Sequence, residues 1–168
     1  IMDFESKIIS RQIGDILYAS GLTIGTAESC TGGRISEAII AIPGSSDYYK
    51  GGIVAYTDEV KVKLLGVSSE VLEEQTAVSE EVAREMVLGT LNAIGVDFAI
   101  ASTGYAGPGG GTKEAPVGTI WLAYGNREEV RTFKLTEDFG RDINLAIATN
   151  KAIRLMLDFL KDMDIKSE

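Results

Sequence analysis

The stretch Leu22-Thr23-Ile24-Gly25-Thr26-Ala27-Glu28-Ser29-Cys30-Thr31-Gly32-Gly33-Arg34-Ile35 decides the fold, because the hydrophobic period changes in its middle. Residues 22–27 read as a short strand and 29–33 as a turn of small residues. Residues 34–42 read as a helix, since Ile35, Ala38, Ile39 and Ile42 recur at helical spacing. A strand feeding a helix through a tight turn is the unit from which α/β sheets are assembled. The same turn has a chemical reading. A hydroxyl there stands clear of the sheet beside backbone N–H groups able to hold a developing oxyanion or a phosphate. Either Ser29 is presented as a nucleophile, with Thr31, Gly32 and Gly33 shaping a binding turn, or Ser29 and Thr31 only cap the helix. Cys30 is a rival nucleophile or a small buried residue.

Working outward, residues 3–20 carry Ile8, Ile9, Ile13, Ile16 and Leu17 on one helical stripe. Residues 51–57 form a β-branched strand candidate ending near Tyr56, and Asp58 is placed to cap a helix that Gly66 stops. Lys61 then falls in that helix's first turn, where the dipole disfavours an ammonium, and burial would have to lower its pKa further before it could act as a base. A solvated lysine is the alternative. Ser68 and Ser79 mark two more helix starts, the second running to about Ile94. Residues 97–102 read as a buried strand, 117–124 and 130–135 as a hairpin turning at Gly125-Asn126, and 139–163 as a closing helix. The expected architecture is a three-layer α/β/α sandwich over a mixed, mostly parallel sheet, with residues 1–168 as one domain.

The chain has 168 residues, 45% of them hydrophobic, one cysteine and no histidine. The missing imidazole excludes Ser-His-Asp and Cys-His catalysis and histidine-ligated zinc, so any acid or base is Lys, Tyr, Asp, Glu or a thiol. A net charge of −9 argues against general nucleic-acid binding. Apolar runs are too short to cross a bilayer and no leader is evident, so the expectation is a soluble, cytoplasmic protein without a membrane partner.

Six of the 19 glycines lie between Gly104 and Gly118, four of them around Pro108. Such a loop either lets backbone approach a ligand closely or serves the turn alone, and its place after a strand is where open α/β sheets put ligands. It lacks the Gly-Lys-Ser/Thr ending of a P-loop. Arg141, at the start of the last helix, either clamps an anion or pairs with Asp138 or Asp142.

Together, Ala27-Glu28-Ser29-Cys30-Thr31-Gly32-Gly33, Pro43-Gly44-Ser45-Ser46, Lys50-Gly51-Gly52-Ile53-Val54-Ala55-Tyr56, Ala77-Val78-Ser79, Thr103-Gly104, Ala106-Gly107-Pro108-Gly109-Gly110-Gly111 and Pro116-Val117-Gly118-Thr119 resemble the CinA carboxyl-terminal domain family over about residues 8–160. That family includes nicotinamide mononucleotide deamidases, which release ammonia from the carboxamide and leave nicotinate mononucleotide in pyridine-nucleotide recycling. The resemblance implies an α/β/α domain that needs no metal or cofactor, is often homo-oligomeric and takes a small-molecule nucleotide. It implies Ser29 as nucleophile, Lys61 as base and Tyr56 as their assistant, with Thr103 and Arg141 in supporting or substrate-binding roles and Gly104 and Gly107 on the substrate side. The chain departs from the pattern at Tyr105, where a smaller aliphatic residue is usual, at Gln75-Thr76 in place of His-Gly, and at Leu145 in place of a second arginine. Leu145 and Tyr105 motivate two alternatives: a non-catalytic nucleotide-binding or interaction module, and a hydrolase of another small amide.

Overall fold

The computed structural model describes residues 3–165. In chain order these form α1 (Phe4–Ser20), β1 (Ile24–Glu28), α2 (Arg34–Ile40), a 3-10 turn (Ser45–Asp47), β2 (Tyr49–Val54), α3 (Asp58–Leu65), α4 (Ser69–Gln75) and α5 (Glu80–Ile94). They continue with β3 (Phe98–Gly104), β4 (Ile120–Gly125), β5 (Val130–Leu135) and α6 (Arg141–Asp162).

The five strands make one sheet in the order β2-β1-β3-β4-β5. β1 pairs in parallel with β2 and β3, while β3/β4 and β4/β5 are antiparallel. The sheet is therefore mixed, with β4 alone running against the other four strands, and residues 126–129 close the last hairpin. Because β2 and β3 flank β1 on opposite sides, the chain leaves β1 one way and returns on the other. The carboxyl ends of β1 and β3 thus border the switch point where such sheets open a crevice.

Alternation along the strands sorts two cores. On one face Ile24, Ile100, Ile120 and Leu122 pack against Ile13 and Leu17 of α1, Ile35 and Ile39 of α2 and Ile153, Met156 and Leu160 of α6. On the other face Ala27, Ala99, Ala101 and Ala123 meet Val82, Met86, Val87 and Leu91 of α5, with Leu65 and Leu72 behind. Small side chains on that sheet face let α5 lie close. Each fully buried aliphatic side chain contributes about 1.5–3 kcal/mol through removal from water. α3 is pressed equally close to α5: a Cβ placed on Gly89 would sit 2.0 Å from the Leu65 carbonyl oxygen.

The capping serines behave as expected, Ser68 accepting from the Val71 amide and Ser79 from that of Val82. Several boundaries shift: β4 begins only at Ile120, and three further changes lie near the site. Thr57, not Asp58, caps α3 by accepting from the Val60 amide at 3.3 Å, which moves Asp58 into the first turn, where its charge suits the dipole. β2 ends at Val54, so Tyr56 lies beyond the strand. Gly140, at φ 92° and ψ 153°, delays the last helix to Arg141.

Candidate functional site

Strand β1 carries its pairing one residue past its end, the Ser29 amide donating to the Ser102 carbonyl at 3.0 Å. The chain then turns sharply. Gly32, at φ 56°, donates to the Ser29 carbonyl and Gly33, at φ 108°, leads into α2. Both need the left-handed region that glycine enters without cost. With Gly32 and Arg34 turned inward, the Cys30 and Thr31 amides have no backbone acceptor among the described residues.

Side-chain alternation at the end of β1 sends Glu28 toward α2 and Ser29 toward α3. There Lys61 Nζ lies 2.9 Å from Ser29 Oγ and donates at 2.9 Å to the Ala55 carbonyl. Ala55 is itself fixed to β1, its amide donating to the Glu28 carbonyl. Lys61 is only 1% exposed and Ser29 8%. Among the described residues no carboxylate approaches Lys61 within ion-pair distance. Burial holds its pKa below the ordinary lysine value, with Asp58 and Cys30 opposing only in part. A buried ammonium without a counter-ion loses its hydration, so the neutral amine is favoured. In that form the nitrogen lone pair can accept the Ser29 hydroxyl proton.

The other expected residues fall into three groups. Cys30 is no rival: burial pushes its thiol up to about 11, and a protonated thiol is a poor nucleophile. Thr31 and Thr103 have their hydroxyls engaged inside the protein. Thr31 Oγ1 donates to Glu28 Oε1 at 2.7 Å and meets Ser102 Oγ at 2.7 Å, and Thr103 Oγ1 donates to the Ala77 carbonyl at 2.8 Å. Their geometry is that of supports rather than of free substrate ligands. Tyr56 is 58% exposed, and among the described residues no hydrogen bond joins its hydroxyl to Ser29 or Lys61.

The glycine-rich segment starts at Gly104, packed so tightly on β4 that a Cβ would lie 2.6 Å from the Ile120 side chain. Gly107 precedes a cis proline, Pro108, and its carbonyl accepts from Arg141 Nη1 at 2.8 Å. Arg141 therefore pairs with the loop backbone and not with Asp138 or Asp142. Asn144, which sequence reasoning missed, donates to the Ala106 carbonyl at 3.0 Å and to Asp138 Oδ1. Leu145 of α6 is 1% exposed and packs into the core. Among the described residues no three His, Cys, Asp or Glu side chains gather to hold a metal, and no helix is long and apolar enough to cross a membrane.

The mixed sheet between two helical layers defines an α/β/α domain with a buried serine–lysine pair just beyond the carboxyl end of β1. The chain belongs to the CinA C-terminal domain family, whose profile matches residues 6–160. It is 46% identical over 122 residues to the Escherichia coli nicotinamide-nucleotide amidohydrolase PncC, covering 73% of this chain and 74% of that protein. It is 43% identical over 154 residues to a CinA-like protein of Leptospira borgpetersenii, covering 91% of this chain but 37% of that protein. The chain thus spans little more than a third of that CinA-like relative. The crystal structure of the competence/damage inducible protein CihA from Agrobacterium tumefaciens superposes with a TM-score of 0.91 at 36% identity, over 95% of this chain and 98% of that one.

Proposed function

We propose that this chain is an amidohydrolase that converts nicotinamide mononucleotide to nicotinate mononucleotide and ammonia through Ser29 and Lys61. The observation that carries the reading is the 2.9 Å approach of a buried lysine, without a carboxylate partner, to a serine hydroxyl. The similarity to PncC, named for hydrolysis of a nicotinamide nucleotide, supports the substrate class.

The steps follow from the groups present. The lone pair of Lys61 Nζ takes the Ser29 proton as Oγ bonds to the carboxamide carbon, and the carbonyl oxygen becomes an oxyanion held by the Cys30 and Thr31 amides. The new ammonium returns its proton to the departing nitrogen, the C–N bond breaks, and ammonia leaves an ester on Ser29. Water then adds to the ester while giving its proton to Lys61. Collapse releases the acid, and Ser29 Oγ recovers its proton from Lys61. Arg141, held at the mouth of the glycine-rich segment, is placed to meet an anionic substrate group, and Tyr56 stands in reach of solvent beyond β2.

The purified chain is expected to release ammonia from nicotinamide mononucleotide, and Ser29→Ala to lower the rate by about 10³-fold or more with the fold intact. A folded Ser29→Ala variant with wild-type turnover would refute the nucleophile. Activity on another small amide but not on the nucleotide would redirect the substrate, and ligand-dependent thermal stabilisation without ammonia would favour a binding module.

A further inference from the structure

The most heavily bonded side chain near the site belongs to a residue to which the proposed chemistry gives no part. Glu28 is 1% exposed, yet its carboxylate accepts four hydrogen bonds. Oε1 takes the Thr31 hydroxyl at 2.7 Å and the Ile35 amide at 2.8 Å. Oε2 takes the Ser36 amide at 2.9 Å and the Ser36 hydroxyl at 2.7 Å. The two amides open α2, whose N-cap Gly33 has no side chain to satisfy them. Glu28 therefore caps a helix from the strand before it, reaching across the turn.

An acceptor with four donors sets the direction of the hydroxyls that donate to it. Ser36 donates to Glu28, so its oxygen is left to accept from Tyr49 Oη at 2.9 Å and lies 2.7 Å from Thr26 Oγ1. Thr31 donates to Glu28, and its oxygen lies 2.7 Å from the Ser102 hydroxyl. One carboxylate thus anchors a hydroxyl network that reaches β1, β2, β3 and α2. The network is packed without slack: a Cβ on Gly52 would lie 2.2 Å from Thr26 Oγ1 and 2.5 Å from Tyr49 Oη.

We propose that Glu28 is a positioning residue for the Ser29 turn: through Thr31 and Ser102 it holds the Cys30 and Thr31 amides at the orientation in which they receive the oxyanion. The inference rests on the serine–lysine reading of the site. Glu28 touches neither Ser29 Oγ nor Lys61 Nζ in any hydrogen bond of the described residues, and its effect passes through Thr31. An amide that meets charge only in the transition state acts on kcat and leaves KM alone.

The test uses Glu28→Gln, Thr31→Val, their double variant and Tyr49→Phe, which removes a hydroxyl at the far end of the network. Glu28→Gln keeps the shape but turns an NH2 toward the Ser36 amide. It is expected to lower kcat for ammonia release about tenfold or more and to keep KM within about twofold. The acid limb of its pH profile stays in place. Thr31→Val, which cuts the link from carboxylate to turn and spares the helix cap, reproduces the loss, the double variant is no worse than either single one, and Tyr49→Phe keeps wild-type turnover. Wild-type kcat in folded Glu28→Gln, additive losses in the double variant, or an equal loss in Tyr49→Phe would each overturn the proposal. If Glu28→Gln fails to fold, Thr31→Val alone decides it by the same kcat and KM criteria.

Amide hydrogen exchange separates this inference from the reading beneath it. Should wild-type protein release no ammonia, faster exchange at Gly32 and Arg34 in both Glu28→Gln and Thr31→Val, but not in Tyr49→Phe, still supports the positioning role. Unchanged exchange overturns it.

Discussion

Two segments leave the carboxyl ends of neighbouring parallel strands, and they are held in opposite ways. The turn after β1 is gripped by buried side chains: Glu28, Thr31 and Ser102 on one side, Lys61 on the other. The glycine-rich segment after β3 is gripped by its backbone, with Arg141 and Asn144 of α6 donating to the Gly107 and Ala106 carbonyls while residues 108–110 and 112–114 lie exposed. Reacting groups need fixed positions and shifted protonation, which only burial supplies; a surface that receives a ligand needs access and adaptable backbone. In the function proposed above, chemistry falls to the first segment and recognition to the second.

Lys61→Met attacks the buried side of the comparison and has the largest expected effect, lowering ammonia release by about 10³-fold. It also changes how stability depends on pH. Because the folded-state pKa of Lys61 lies below its unfolded value, unfolding takes up a proton between the two. Wild-type stability therefore rises with pH across that window, toward the ordinary lysine value near ~10.4, and falls as pH drops through it. Urea midpoints measured at pH 7 and pH 9 should climb in the wild type more than in the methionine variant; equal slopes would contradict the assignment.

Gly89→Ala strikes the same side from beneath. A Cβ there meets the Leu65 backbone, which cannot retreat without moving α3 and the lysine it carries. Overpacking of this kind costs about 1–3 kcal/mol, read from urea unfolding, and turnover should fall with it. Arg141→Ala tests the other segment. Losing the Gly107 tether and a cation is expected to raise KM about tenfold with kcat nearly unchanged, the reverse of the pattern at the β1 turn. An equal fall in kcat would erase the distinction between the two segments.

Much of the fold was readable from period and punctuation: α1, the β1–turn–α2 unit, the caps at Ser68 and Ser79 and the hairpin all rest on local signals. Ser29 and Lys61 could be singled out as candidates because the absence of histidine narrows the choice of base and because one follows a strand's end and the other falls in a helix's first turn, while their roles came from the family resemblance. Glu28 and Asn144 were not. A glutamate in a strand and an asparagine early in a helix ordinarily face water, and what buries them lies elsewhere: Glu28 belongs to a network that reaches Ser102, and Asn144 meets Ala106. Leu145 is placed by tertiary packing in the same way. The facing of one position on α6 is set by how the helix seats on the sheet, not by its spacing from Arg141. Tyr48 and Tyr49 turn inward, Tyr48 against Gly14 and Tyr49 to Thr26 and Ser36.

The smallest expected effect concerns Thr76, which closes α4 at φ 65° and ψ 169°, a conformation suited to glycine and strained for a β-branched residue. Thr76→Gly should relieve the strain and raise stability by about 1 kcal/mol, offset in part by added unfolded-state freedom, with little change in turnover. A lower melting temperature would show that the residue is held there by contacts worth more than the strain.

The account stands on the protonation of one amine. Titration of the Lys61 side chain by ¹⁵N-detected NMR, with Lys61→Met identifying the signal, is expected to show the proton leaving well below the ordinary value of ~10.4. An amine that remains an ammonium up to that ordinary value in the folded protein would contradict it.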